Sequence, residues 1–416
     1  MRDLPTRPPL PDDPAAIDAD WLQQALAAGG ASTCPAIREV DVEDLGAASN
    51  AFGRLLRCHL TGEGGLAANP ASVIVKLPPA DRGAFRFAKW MWMHEREYLY
   101  YRRLARLAPI RSPALLYGDF DEATHRFVLV LEDLRDMEVP VQVAGVPAGR
   151  ARLAVREIAR LHGQFWGAVD SPALAGCRDI FAPKIRRFLQ IACLLRIPVV
   201  LERFGDCFSP ETRRLVEALG PRITAHFRAV AAGPRTLVHG DYRGENLFFG
   251  PDVGAGDPAR GAPSARGDFA VVDWQACGLG PGLYDVAYFL GTNVVPGDRR
   301  RIEREALAEY HDIVCRLGAR DFTFDDCWRG YRQNMLGVLV ACILGCGALD
   351  LGFQRLHALL RSALERALAA TEDLDAAEFL PRGRFLSAGN ALSLLSRGAH
   401  EAYFRLARRR ATSPSP

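Results

Sequence analysis

The 416 residues are 49% hydrophobic and 24% charged, an ordinary globular composition and enough chain for one large or two moderate domains. The 52 Lys and Arg nearly balance the 49 Asp and Glu, leaving +3, so no global field points to nucleic acid or to a membrane. The ten cysteines form no C-x-x-C pair, which speaks against zinc-finger spacing and disulfide staples.

In chain order, residues 1–14 are Pro-rich and read as a disordered tail without the apolar run of a signal peptide. Asp18 or Asp20 can cap a short helix through Trp21, Leu22 and Leu26 that ends at Gly29-Gly30. Strand-like runs follow at 54–60 and 72–77, joined as a hairpin, with Lys76 near the end of the second. A long helix is expected over 85–107, then strands at 115–120 and 126–131. Beyond them helical patterns recur at 150–169, 182–203, 210–231, 299–317, 325–347, 353–372 and 386–410. Short β-type runs at 236–239 and 269–272 flank a Gly-, Ala- and Pro-rich stretch, 250–268, that reads as a mobile loop. The apolar run 335–349 is shorter than the ~20 residues of a membrane span and reads as a buried helix. Cys342 and Cys346, four apart, share its buried face. The expectation is an α+β chain: a tail (1–14), a small lobe of antiparallel sheet and helix (15–133), a larger helical lobe (134–410) and a short tail (411–416). A cytoplasmic location is expected.

The chemistry concentrates in His239-Gly240-Asp241-Tyr242-Arg243-Gly244-Glu245-Asn246, between two β-type runs. An Asp followed five positions later by an Asn is the arrangement of a kinase catalytic loop: a carboxylate to take a hydroxyl proton, and a neutral oxygen for Mg²⁺. A second carboxylate, Asp273, ends the apolar run 269–272, where a strand can hold it rigidly as a Mg²⁺ ligand. Lys76 can reach nucleotide phosphates if an acid fixes its long side chain; Glu97 is the candidate and Glu95 the fallback. The small residues of 46–53, with Ser49 and Asn50, would let backbone N–H groups approach phosphate. His162, on an apolar stripe, reads as a satisfied core histidine.

With these residues in place, the chain resembles the aminoglycoside phosphotransferase/choline kinase superfamily of the protein-kinase-like fold, and within it the ecdysteroid-kinase-like group. The resemblance rests on Trp21-Leu22, Glu132-Asp133-Leu134, Leu161-His162, the 239–246 motif, Val272-Asp273-Trp274-Gln275 and the 280–290 segment. It implies a bilobal fold and Mg·ATP as cofactor. Asp241 would be the catalytic base, Asn246 and Asp273 would hold the metal, and Lys76 and Glu97 would form the phosphate-orienting pair. The backbone of Leu131, Glu132 and Asp133 would meet adenine, Asp285 would brace the catalytic loop, and the His239 ring would pack beneath it.

The acceptor is expected to be a small-molecule alcohol. Residues 176–235 carry eleven Lys and Arg against five Asp and Glu, which disfavours a polycationic antibiotic, and include apolar runs at 191–195 and 197–201. A lipophilic alcohol, sterol-like or hydroxyacyl, is the expectation. An aminoglycoside or choline-type kinase and a catalytically silent nucleotide-binding module are the alternatives.

Overall fold

Alternation and burial explain the sheet that carries Lys76. The computed structural model describes residues 7–30, 36–45, 52–62, 67–251, 268–348 and 354–382. Strands β1 (Glu39–Asp44), β2 (Arg54–Thr61), β3 (Ala67–Leu77), β4 (Leu115–Phe120) and β5 (Phe127–Glu132) form one antiparallel sheet in the order β1-β2-β3-β5-β4. On β2, Leu56, Cys58 and Leu60 point to one face and are buried, as period-two alternation requires. They pack with Trp21, Leu22, Ala25 and Leu26 of helix α1 (Ala19–Ala28). Asp18 caps that helix, accepting the Trp21 amide at 2.8 Å. Strand β5 is buried on both faces. Val128 and Val130 join the α1 side, while Phe127, Leu129 and Leu131 enter a second core that continues through the helical part.

Residues 7–13 differ from the expected disordered tail. Trp21 Nε1 donates to Pro9 O at 2.8 Å, Arg126 donates to Pro11 O at 2.8 Å, and Arg7 pairs with the buried Asp119 of β4.

The single long helix expected over 85–107 is also corrected. The chain forms α2 (Arg82–Trp90), breaks at Trp92 in the left-handed region (φ 57°), restarts as α3 (Met93–Leu99), and ends in a π-helical turn, Tyr100–Leu104. The break sends the two pieces to different partners. Phe87 and Trp90 of α2 meet Phe188 of the helical part, while α3 carries Glu97 inward.

The larger part is helical: α4 (Ala148–Gln164), α5 (Pro183–Arg203), α6 (Pro210–Leu219), α7 (Ile223–Val230), α8 (Leu283–Asn293), α9 (Pro296–Leu317), α10 (Phe324–Ala348) and α11 (Gln354–Asp373). The helix expected over 210–231 is interrupted by a tight turn, Gly220–Arg222, at Pro221, which has no amide to continue it. Two short antiparallel pairs complete the fold: β6 (Thr236–Val238) with β9 (Gly278–Gly280), and β7 (Leu247–Phe249) with β8 (Phe269–Val271). Cys342 and Cys346 are buried in α10. Among the described residues no helix is long and apolar enough to cross a membrane. The expected helix over 386–410 and most of the 250–268 loop lie outside the described residues.

Candidate active site

The two short β pairs set two loops side by side. The segment 239–246 leaves β6 and enters β7, whose partner β8 leads into Asp273. The Val272 amide donates to Asn246 O at 3.0 Å, which fixes one loop to the other.

The 239–246 loop is held from below by Asp285 on α8. Its Oδ2 accepts the His239 amide at 2.7 Å and its Oδ1 accepts the Gly240 amide at 2.9 Å. His162 Nε2 lies 3.2 Å from Asp285 Oδ2, and Tyr310 donates its hydroxyl to His162 Nδ1 at 3.0 Å. His162 is thus a satisfied core histidine. The His239 ring donates from Nε2 to Val272 O at 2.9 Å and accepts the Asp241 amide at Nδ1 at 3.2 Å. Gly240 turns with φ 82°, and a Cβ there would stand 2.5 Å from Ala276 O, so only glycine fits this close approach. Tyr242 donates to Ala154 O at 2.7 Å, and the Gly244 amide donates to Asn293 Oδ1 at 2.8 Å.

Within this frame Asn246 Nδ2 donates to Asp241 O at 2.9 Å and reaches its Oδ2 at 3.3 Å, so its own carbonyl oxygen is not spent on that contact. Arg243, which the sequence reading passed over, donates from Nε to Asp241 Oδ2 at 3.2 Å and from Nη1 to Glu245 Oε2 at 2.6 Å. The Asp241 charge raises the Arg243 pKa. The signal that could have found it is its place two residues after Asp241, on the same short loop.

Lys76 meets Glu97, its expected partner, and also Asp273, a pairing the sequence did not suggest. Its Nζ lies 2.8 Å from Glu97 Oε1, 2.7 Å from Glu97 Oε2 and 2.9 Å from Asp273 Oδ1. Glu95 is turned away to Arg178 at 2.9 Å, which decides between the two acids. Gln275 Nε2 donates to the other Asp273 oxygen at 3.2 Å. Asp273 itself is left-handed (φ 63°), a conformation Asp tolerates better than most side chains. One ammonium faces two buried carboxylates here. Burial opposes the charge on Lys76, but Asp273 and Glu97 outweigh it and raise its pKa. Burial pushes Glu97 up to about 7, with Lys76 pulling the other way and Asp273 adding to the rise. Burial also works against Asp273, yet Lys76 outweighs it and holds the carboxyl below the usual carboxylate range.

Helix α3 is tied to the Asp273 turn independently of Glu97. Arg96 Nη1 donates to Ala276 O at 3.1 Å and Cys277 O at 3.0 Å. Tyr100 stacks on the fully buried Trp274 with centroids 3.6 Å apart.

The expected adenine-facing residues end β5. Leu131 lies between β3 and β4, paired with Ile74 and Leu115, and the Glu132 amide donates to Ala114 O at 2.9 Å. The Glu132 side chain accepts from Arg111 at 2.7 Å and from the Ala114 amide at 3.0 Å. The Asp133 carboxylate is buried against Arg57 (2.8 Å) and Ser72 (2.7 Å). Both acids therefore fix where the chain leaves the sheet. Ser49 and Asn50 lie outside the described residues.

Asp241, Arg243, Asp273 and Gln275 line one end of a cavity of about 380 Å³, whose other walls include Phe181, Phe227, Tyr284, Tyr288, Val340 and Leu344. Tyr284 and Tyr288 stand one turn apart on α8 with near-parallel rings, 6.1 Å between centroids.

No curated protein matches the chain. Several solved structures are similar to the chain at low identity. A protein of Ralstonia eutropha JMP134 described as an aminoglycoside phosphotransferase is 18% identical (TM-score 0.49; 82% of this chain, 94% of that one). A microcompartment-associated aminopropanol kinase is 15% identical (TM-score 0.48; 85% and 98%). The choline kinase of Cryptosporidium parvum Iowa II is 11% identical (TM-score 0.45; 82% and 92%). At these identities nothing about substrate carries over. The phosphotransferase enzyme family (APH), by contrast, matches in sequence over residues 59–322, from within β2 to just past α9 and through every loop described above. The chain therefore belongs to the phosphotransferase enzyme family, as a small-molecule phosphotransferase acting on a hydroxyl group.

Proposed function

We propose that the protein transfers the γ-phosphoryl group of Mg·ATP to the hydroxyl of a lipophilic alcohol, in the manner of the ecdysteroid-kinase-like group. The observation that carries the acceptor class is the cavity lining. Next to Asp241 and Asp273, its only carboxylates among the described lining residues, the walls are aliphatic and aromatic, and the one cation is Arg243. A polycationic aminoglycoside would find no acid along these walls beyond Asp241 and Asp273, which the transfer itself engages. An apolar alcohol gains by leaving water there, at ~25 cal/mol per Å² buried.

In this reading Asp241 accepts the acceptor's hydroxyl proton while the oxygen forms its bond to the γ-phosphorus. The bond from that phosphorus to the β–γ bridging oxygen breaks, and its electron pair leaves with ADP. Asn246 and Arg243 orient Asp241, and Lys76, fixed by Glu97, is placed to meet the phosphates. Asp273 and Asn246 suit Mg²⁺, which binds through one or two protein oxygens and completes its shell with phosphates and water. The local charge supports this. Asp241, Glu245, Glu97 and Asp273 outnumber Lys76 and Arg243, so a polyanionic nucleotide is best received with a divalent cation. Bound there, the ion would neutralise charge on the phosphate oxygens.

One feature favours a second reading. Tyr284, Tyr288, Phe181 and Phe227 are the side-chain types that enclose a quaternary ammonium, which would suit a choline-type acceptor. Arg243 at the cavity's polar end opposes it. The experiment is phosphate transfer from Mg·ATP over a library of sterols, medium-chain hydroxy compounds, amino alcohols and aminoglycosides, with wild type and Asp241→Asn. Transfer to apolar alcohols that disappears in the variant supports the proposal. Turnover confined to cationic acceptors refutes the acceptor class, and transfer that persists in Asp241→Asn refutes the base.

A further inference from the structure

Helices α2 and α5 meet and form one surface. Phe188 of α5 lies 5.2 Å from Trp90 and 5.6 Å from Phe87 of α2, and Lys184 Nζ donates to Trp90 O at 2.9 Å. Apolar side chains stand out from this surface: Trp90 is 40% exposed, Ile191 47% and Leu195 44%. Phe188, Ile191 and Leu195 follow at helical spacing, so they form a ridge on α5 that Trp90 extends onto α2. The charge is one-sided. The two helices carry Arg82, Arg86, Lys89, Lys184, Arg186, Arg187, Arg196 and Arg203 against a single acid, Glu202, near the far end of α5; Asp81 caps the start of α2. Of these cations Arg82, Arg86, Lys89 and Arg187 are exposed beside the ridge, while Lys184 is engaged by Trp90 O and the Trp92 ring.

The ridge also borders the acceptor cavity. Phe52, Met93 and Leu189 line that cavity, and each adjoins the surface. The Phe52 ring is 5.2 Å from Phe87, Met93 follows the break after Trp90, and Leu189 follows Phe188.

We infer that the α2–α5 surface docks on an anionic lipid membrane and presents the mouth of the acceptor cavity to the bilayer. An apolar ridge rimmed by Lys and Arg is the pattern of an element lying in the membrane interface, with its apolar side chains among the acyl chains and its cations at the headgroups. An acidic protein partner would use the cations but gives no reason for the ridge to adjoin the cavity. A lipophilic alcohol partitions into bilayers, so a membrane-facing mouth would receive it without passage through water. The inference extends the acceptor reading above, but its test involves no acceptor. Failure of docking leaves that reading standing, and a water-soluble acceptor leaves docking standing.

The test is co-sedimentation of the full chain with vesicles of phosphatidylcholine, alone or in equimolar mixture with phosphatidylglycerol. Two variants are compared: Arg86→Glu/Lys89→Glu/Arg187→Glu, and Ile191→Ser/Leu195→Ser. All five positions are exposed and lie outside the site, so circular dichroism and nucleotide affinity should match wild type. Wild type is expected to bind the anionic vesicles and to be released by salt. Charge reversal should weaken the partition coefficient by ~100-fold or more, and the serine pair by ~10-fold. Absence of wild-type binding, equal binding to neutral vesicles, or variants that bind as wild type does would each overturn the inference.

Discussion

Replacing Asp285 with Asn tests the foundation of the site while changing almost no volume. Both Asp285 oxygens are acceptors: Oδ2 takes the His239 amide and faces His162, and Oδ1 takes the Gly240 amide. Asp285, His162 and His239 are fully buried and Gly240 is half-buried. An asparagine can offer only one carbonyl oxygen, so its amide nitrogen must face either the Gly240 N–H or the His239 N–H, donor against donor. One buried amide left without an acceptor costs ~1–3 kcal/mol, and the surviving contact loses its charge assistance, so the total is ~2–4 kcal/mol. The strain falls on the turn that aims Asp241, whereas Lys76 and Glu97 lie on other elements. Thermal unfolding should therefore move down by several degrees. The rate constant for transfer should fall at least ~10-fold, the scale of losing ~1.4 kcal/mol at the transition state, while nucleotide affinity stays near wild type. The assays are a melting curve, nucleotide titration and initial rates on one preparation. A variant that melts with wild type and turns over at the wild-type rate would refute the claim that these two hydrogen bonds hold the loop.

Two more outcomes follow from the same geometry. Gly240→Ala should fold but lose ~1–3 kcal/mol to backbone strain and a Cβ pressed on Ala276 O, with transfer impaired more than nucleotide binding; wild-type rates would count against the close approach. Glu97→Gln should change the pH profile. Because burial lifts Glu97 from about 4.5 to about 7, the folded state holds the extra proton in that window. This group's contribution to stability is thus full at acid pH and declines as pH rises through 7. Ionised Glu97 is the form that fixes Lys76, so kcat/KM for nucleotide should rise through about pH 7 in wild type, and that limb should be missing in Glu97→Gln. An unchanged limb would assign it to another group.

What the sequence made legible was local chemistry and regular patterning. The Asp241–Asn246 spacing, the strand ending at Lys76 and the apolar run into Asp273 could be read because each is a short segment with its own periodicity. The structure brings those three segments together. Less legible was anything set by partners distant in sequence. Strand β1 was missed although Val40 and Val42 alternate along it and pack against the α1-side core: it is a six-residue edge strand with four acids, a composition depleted in strands. Helix α8 was missed for the opposite reason: it is buried almost all round, which erases the amphipathic stripe. The break at Trp92 was invisible because local propensity favours continuing the helix. It forms where the Trp92 ring is enclosed by Lys184, 3.0 Å from the ring centroid, and Arg178, whose guanidinium lies 4.3 Å from it; both come from the helical part.

That break also bears on how the site is held. A continuous helix from Phe85 would carry the Phe87 and Trp90 contacts and the Glu97 contact on one rigid rod. Broken at Trp92, α3 answers to its own partners, and these lie on the Asp273 turn: two carbonyls for Arg96, the indole for Tyr100 and, through Lys76, the carboxylate itself. Three kinds of contact, each different in chemistry, fix one short helix to one turn, and none of them requires a nucleotide. The pairing of Lys76 with Glu97 is therefore a property of the folded chain rather than a consequence of binding. Removing one contact, such as the Tyr100 stack, should weaken the fold more than it displaces Glu97, because Arg96 still anchors the helix a single residue away.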